Sequence, residues 1–267
     1  MEKLNRTTAK VNQYPTKVIQ FGEGNFLRAF VDWIIWNTNK ATDFNAGVVV
    51  VQPIERGMVD VLNAQDGLYH VNLQGIDKGQ SVDSMDLVDV INYGLNPYSQ
   101  NDEFLALAED PNIRFVISNT TEAGICFDEN NKISDRPASS FPGKLTQLLK
   151  KRFDLGLSGF VFLPCELINR NGDNLKKCIL QYADLWELGE GFKSWIENEN
   201  IFCNTLVDRI NTGYPKDEEL DLGYEDKMVN TSEYFHLWVI ETEYDIEKEL
   251  PFAAAGLNVI VTKDKLE

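Results

Sequence analysis

The chain has 267 residues, 43% hydrophobic and 25% charged, the balance of a protein with a packed core. Its 42 acidic and 25 basic residues leave a formal charge of −17, and no basic run exceeds Lys150-Lys151-Arg152, so duplex nucleic acid is not an expected partner. No apolar stretch of about 18 residues predicts a membrane span, the polar start lacks the core of a signal peptide, and four dispersed cysteines without a CxxC pair argue against a disulfide framework or a metal site.

The expected compartment is therefore the cytoplasm, and the oligomeric state is left open. Residues 17–21 read as a short strand closed by Gly22. Phe26, Leu27, Phe30, Val31, Ile34 and Ile35 then recur at spacings of three and four, which predicts an amphipathic helix. Residues 47–51 form an unbroken apolar run ahead of Pro53, the pattern of a strand buried on both faces of a parallel sheet. Strand, helix and strand make a βαβ unit.

Extended segments at 67–73 and 87–91, with Gly75 and Gly79 between them, predict an inserted hairpin or meander rather than a further crossover. A helix is expected at 102–108, a strand at 114–118, and a helix at 142–153 with Leu145, Leu148 and Leu149 on one face. Residues 159–163 read as another buried strand, followed by amphipathic helices at 173–186 and 192–199. Strand-like runs at 234–240 and 257–261 complete the series. The alternation predicts an α/β fold: a doubly wound, mostly parallel sheet with an inserted β hairpin or meander and extra helices.

Gly22-Glu23-Gly24-Asn25-Phe26-Leu27 lies between the first strand and the first helix. There Gly22 permits a tight turn, Gly24 lets the backbone approach a pyrophosphate, and the helix N-terminal amides hold the anion. Leu27 stands where a third glycine is usual. The turn points to a dinucleotide, with Phe21, Asn25 and Phe26 around it. Arg28 suits a pyrophosphate or substrate carboxylate, or equally a surface ion pair. At the end of the second strand, where an acid normally grips the adenosine ribose, stands Gln52, with Glu55 and Arg56 just beyond. Glu55 favours NAD while Arg56 would tolerate a 2′-phosphate, so NAD is preferred and NADP stays open. After the strand at 114–118, Asn119, Thr120 and Glu122 offer donors and acceptors for riboses or a nicotinamide amide, or simply form a capping loop.

Five segments occur in order: Phe21-Gly-Glu-Gly-Asn-Phe-Leu-Arg-Ala-Phe30, Gln65-Asp-Gly-Leu-Tyr69, Asn119-Thr-Thr-Glu-Ala-Gly124, Pro164-Cys-Glu-Leu-Ile168 with Asn171-Gly172, and Leu206-Val-Asp-Arg-Ile210. Together they resemble the mannitol dehydrogenase family, the polyol-specific long-chain dehydrogenases, over nearly the whole chain. The resemblance implies an NAD-dependent oxidoreductase acting on a small polyol or sugar acid. It also implies a Rossmann-type domain over 1–267, with its core at about 15–200 and strands and loops at about 201–267, leading to a helical substrate domain.

The family's catalytic lysine, with its accompanying Asn and His, belongs to a segment opening that helical part. No such segment occurs in these residues, and Lys263 and Lys265 read as charged residues at a strand end. The expectation is a chain that binds cofactor without turning substrate over. The family's first-domain asparagine falls at Cys165-Glu166-Leu167, where the match fails. Asn171 is the nearest retained asparagine, also readable as a turn former. Asp208 and Arg209 match a segment at the family's active-site edge: Asp208 could relay a proton and Arg209 orient the substrate, or the pair could hold a loop. His70 and His236 read as packed structural residues. A non-catalytic dinucleotide-binding module remains as a reading of another class.

Overall fold

The computed structural model describes residues 2–215 and 222–266. Its central sheet has six parallel strands: β1 (Thr16–Phe21), β2 (Gly47–Val51), β3 (Ile91–Leu95), β4 (Phe115–Ser118), β5 (Val161–Pro164) and β6 (Ile201–Phe202). Their spatial order is β3-β2-β1-β4-β5-β6. The winding direction reverses between β1 and β4, so their carboxyl ends flank the topological switch point where such sheets bind ligands. The register sets Phe21 beside both Val51 and Ser118 there.

Alternate strand residues feed two separate cores. Val18, Val48, Val50, Ile117 and Leu163 cluster with residues of α1 (Asn25–Ala29) and α2 (Val31–Ala41). Ile19, Phe21, Val49, Val116 and Phe162 cluster with α3 (Phe141–Asp154), α4 (Asn171–Leu185) and α5 (Gly189–Glu199). Burial on both faces is why these strands read as continuous apolar runs, each buried Val, Leu or Ile contributing about 1.5–3 kcal/mol.

The helix expected at 26–35 is broken at Phe30, whose backbone departs to φ −114°, ψ −76°. Two carbonyls at the break have partners outside the helix. Tyr69 Oη donates to the Arg28 oxygen at 2.8 Å, and Arg209 Nη1 donates to that of Ala29 at 2.6 Å. The Phe30 ring is meanwhile fixed between Phe26 and Trp238.

The inserted hairpin is present, with Tyr69–Asp77 antiparallel to Gln80–Val88. Lys78 and Gly79, both at positive φ, make its two-residue turn. The segment expected at 87–91 is divided: Leu87 and Val88 end the hairpin, while Ile91 opens a strand the sequence did not reveal, Ile91–Leu95, which returns to the main sheet as β3, parallel to β2. Its mixed sequence, Ile-Asn-Tyr-Gly-Leu, hides this because it is an edge strand with Tyr93 41% exposed.

A second, three-stranded sheet joins Asn204–Asp208, Leu237–Glu241 and Val259–Thr262. Trp238, Ile240 and Val259 pack into the α1–α2 core, while Leu206, Val239 and Ile260 lie in register on the other face. The strand expected at 234–240 begins only at Leu237, and Tyr234 N donates instead to Gln74 O of the hairpin (2.9 Å).

Candidate dinucleotide site

The glycine turn is held from both sides. Gly22 N donates to Val51 O (3.0 Å), and Asn119 N donates to Phe21 O (3.1 Å). Gly22 sits at φ +120°, and a Cβ there would lie 3.0 Å from Asn119 O and 3.2 Å from Leu27 Cδ1. Backbone conformation and close approach therefore both require glycine. Gly24 is glycine for a different reason. Its φ of −63° is ordinary, but it is the N-cap of α1 and an added Cβ would meet nothing within 4 Å. It borders open space. No side chain caps α1, so its first amides stay available to a ligand with the positive end of the helix behind them.

A cleft of 680 Å³ opens at the switch point, within the range of small-ligand sites. Phe26 of α1 forms one wall and Asn119, Thr121, Glu122 and Ala123 after β4 another. Leu167 after β5, with Val207, Asp208 and Arg209, completes it. Glu166 ties the ends of β4 and β5 together beneath. Its Oε2 accepts from Ser118 Oγ (3.0 Å), and its Oε1 accepts from Thr120 N (3.0 Å) and Oγ1 (2.9 Å). Burial raises the Glu166 pKa against the opposing pull of these donors.

The structure sorts the residues expected near a cofactor into two groups. Phe26, Asn119 and Glu122 line the cleft, and Gly22, Gly24 and Asn25 form the turn beside it. Thr120 adjoins them, its hydroxyl held by Glu166. Phe21, by contrast, is fully buried, its ring 4.8 Å from that of Phe141.

Arg28 does not reach for an anion. It is buried and donates to Glu23 O (3.0 Å), Asn25 Oδ1 (2.6 Å) and Met228 O, with its guanidinium 4.9 Å from the Tyr69 ring. Gln52 is likewise committed elsewhere. Its Nε2 donates to Ile54 O (2.8 Å) and Glu55 O (3.0 Å), while its Oε1 accepts from Val59 N (3.3 Å). The Glu55 side chain is exposed.

The weak catalytic candidates separate in the same way. Asn171 is buried, donating to the carbonyls of Pro164 (3.0 Å), Glu166 (3.1 Å) and Thr205 (2.9 Å) and accepting from Gly172 N and Thr205 N. It staples β5 to the second sheet and has no free group. Arg209 is a strut: Nε donates to Glu233 O (2.8 Å), and the guanidinium lies 4.4 Å from the Trp33 ring, where burial lowers its pKa to about 10. Asp208 is the one exposed residue of the three; Arg209 also borders the cleft, with Nη2 buried and without a partner.

Both histidines are buried. His70 pairs with Asp226 at 2.9 Å, and His236 Nε2 accepts from Asn258 N at 3.1 Å. Sequence reasoning missed Asp32, wholly buried under the turn. Its signal was an acid set among the apolar positions Val31, Ile34 and Ile35. Among the described residues no group of three His, Cys, Asp or Glu could hold a metal ion, and no helix is long and apolar enough to cross a membrane.

Six parallel strands in this order, with a glycine turn at the point of reversal, define a Rossmann-type domain. Residues 16–252 match the mannitol dehydrogenase Rossmann domain, and the chain belongs to the mannitol dehydrogenase family. It is 59% identical over 268 residues to an altronate oxidoreductase of Phocaeicola vulgatus, covering 97% of this chain and 56% of that protein. An altronate oxidoreductase of Bacillus subtilis is 47% identical over 273 residues, covering 99% of this chain and 57% of that one. The chain thus spans little more than half the length of the curated relatives it matches.

Among solved structures, Pseudomonas fluorescens mannitol 2-dehydrogenase, a ternary complex with NAD and D-mannitol, superposes with a TM-score of 0.80. At 21% identity, over 98% of this chain and 58% of that one, the likeness is one of fold. A substrate-free D-sorbitol dehydrogenase gives 0.79 at 23% identity, over 98% of this chain and 59% of that one.

Proposed function

We propose that this chain is the cofactor-binding portion of a cytoplasmic NAD-dependent oxidoreductase that interconverts D-tagaturonate and D-altronate in hexuronate breakdown. The observation that carries the reading is the cleft at the β1–β4 switch point, with an uncapped helix start and an open Gly24 on one bank and Asn119 to Ala123 on the other. Support for the substrate comes from the altronate oxidoreductases among its relatives. A nicotinamide cofactor, when bound, supplies the hydride for the carbonyl carbon.

The residues of this chain bind and orient. The α1 amides suit a pyrophosphate and the Asn119 side chain suits a polar ring substituent, while Leu167 and Val207 present apolar wall that keeps water from the reacting groups. Asp208 offers a carboxylate to substrate hydroxyls. On this reading the residues lining the cleft bind the dinucleotide, and the lysine that the family resemblance implies as proton donor is not among them. The test is a fluorescence titration of the 267-residue protein with NADH, followed by assays of a full-length version on D-tagaturonate, D-fructuronate and D-fructose. Saturable NADH binding, no turnover by the 267-residue chain and preference for D-tagaturonate are expected. Failure to bind any dinucleotide would overturn the reading.

A further inference from the structure

We infer that dinucleotide binding to this chain is coupled to the protonation of Asp32, the glycine turn holding a pyrophosphate best while the carboxyl beneath it is neutral. The inference rests on the dinucleotide reading above. Carbonyl oxygens repel an anion at the start of α1, so the turn's own must be held away from it. Two buried side chains do this. Gln20 Nε2 donates to Gly22 O (3.1 Å), and Arg28 Nε donates to Glu23 O (3.0 Å). Asp32 of α2 draws on both. Its Oδ2 accepts from the same Gln20 nitrogen at 3.1 Å, so one amide group joins the carboxyl to the turn, and the Arg28 charge acts on it as well.

The carboxyl is wholly buried, and its surroundings favour the neutral form. Asp32 Oδ1 and Gln20 Oε1 both lack a hydrogen-bond partner among the described residues, and a proton on Oδ1 turns one of these two acceptors into a donor. From the hairpin, Tyr69 Oη lies 3.3 Å from Oδ2, but its shorter bond, 2.8 Å, is to Arg28 O. Arg28 of α1 is the cation that faces Asp32. Glu23 and Asp226 face Arg28 in turn, and His70 pairs with Asp226 at 2.9 Å. Burial raises the Asp32 pKa to about 7, ahead of the Gln20 and Tyr69 bonds and the Arg28 charge that lower it. The group therefore changes charge near neutrality. Ionised, it competes with the turn's carbonyls for Gln20 and Arg28. It also sets a negative charge beneath the anion, where burial limits screening by salt. By linkage, a bound pyrophosphate, itself charged throughout this range, holds the proton on Asp32 more firmly.

The experiment titrates wild type and Asp32→Asn with NADH from about pH 6 to about pH 8, reading cofactor fluorescence. Affinity is full below the Asp32 pKa of about 7 and falls as pH rises through it. A coupling of about fivefold, at the low end for linked sites, weakens wild-type binding by at least about threefold across that range. Asp32→Asn, with no proton to lose, should bind NADH with a flat pH profile. Comparing the two proteins removes groups common to both, among them Glu23, whose pKa burial also raises. Calorimetry of wild type near pH 7, in two buffers of different ionisation enthalpy, needs no variant and should show uptake of a fraction of a proton on binding. It decides the matter should Asp32→Asn fold or bind poorly. Wild-type affinity that stays level or rises with pH, the same fall in folded Asp32→Asn, or binding without proton uptake overturns the inference. Failure of wild type to bind NADH at any pH overturns instead the reading on which it rests.

Discussion

Replacing Asp32 by asparagine should remove much of the protein's loss of stability between mildly acidic and mildly alkaline pH. The carboxyl lies directly beneath the glycine turn. Its Oδ2 accepts from Gln20 Nε2 (3.1 Å) and lies 3.3 Å from Tyr69 Oη, whose shorter bond is to Arg28 O (2.8 Å), and the same Gln20 nitrogen donates to Gly22 O (3.1 Å). Asp32 Oδ1 and Gln20 Oε1 are buried with no partner. Burial lifts the Asp32 pKa from the ordinary 3.8 to about 7, outweighing the hydrogen bonds and the Arg28 charge that lower it. The folded protein thus holds, between about pH 4 and pH 7, a proton that the unfolded chain has released. Stability from this group is greatest at the acid end of that window and falls as pH rises through it.

A rise from 3.8 to about 7 corresponds to at most about 4 kcal/mol across the window. The Asp32→Asn side chain has no proton to bind, and its amide nitrogen replaces one of these two unpartnered acceptors with a donor. Urea unfolding of both proteins, followed by tryptophan fluorescence from about pH 5 to about pH 8, gives the two stability curves. Subtracting them removes contributions common to both, such as those of Glu23, Asp89 and Glu166, whose pKa values burial also raises. The difference should move in favour of the Asp32→Asn variant as pH rises, by an amount on the order of a few kcal/mol. Parallel curves would refute the argument, because a carboxyl that stays ionised throughout contributes no slope there.

Two further substitutions probe the frame of the site. Gly22→Ala places a Cβ at φ +120° against Asn119 O and Leu27 Cδ1, so it should cost about 1–3 kcal/mol in urea unfolding and weaken NADH binding as well; full stability would show that the turn relaxes freely. Asn171→Ala removes one donor from each of three buried carbonyls and the acceptor of two amides; Pro164 O keeps Thr205 Oγ1 and Glu166 O keeps Ile168 N, and at about 1–3 kcal/mol for each group left unpaired a marked fall in melting temperature is still expected. NADH affinity of the folded fraction should change little; a selective loss of affinity at unchanged stability would return Asn171 to the site.

What the sequence reveals depends on how far away each residue's partners lie. The strand at 47–51 is legible residue for residue because burial on both faces leaves no polar position. Strand β3 is not, because an edge strand needs only half its surface apolar. The glycine turn is legible because φ and close packing act locally, at Gly22 itself. Arg28, Gln52 and Asn171 look like ligand contacts in one dimension, since position along the chain does not tell where a side chain points. Arg28 is held by Met228, 200 positions away, and Asn171 by Thr205, 34 positions away.

These long-range bonds also narrow the search for what meets a ligand. Arg28, Gln52 and Glu166 brace the turn and the strand ends with their principal polar atoms engaged, and Gln20 does so through Nε2 while its Oε1 stays buried without a partner. The Asn119 side chain and Asp208 are not so engaged, and both line the cleft. Recognition therefore falls to the polar atoms that the scaffold leaves unused.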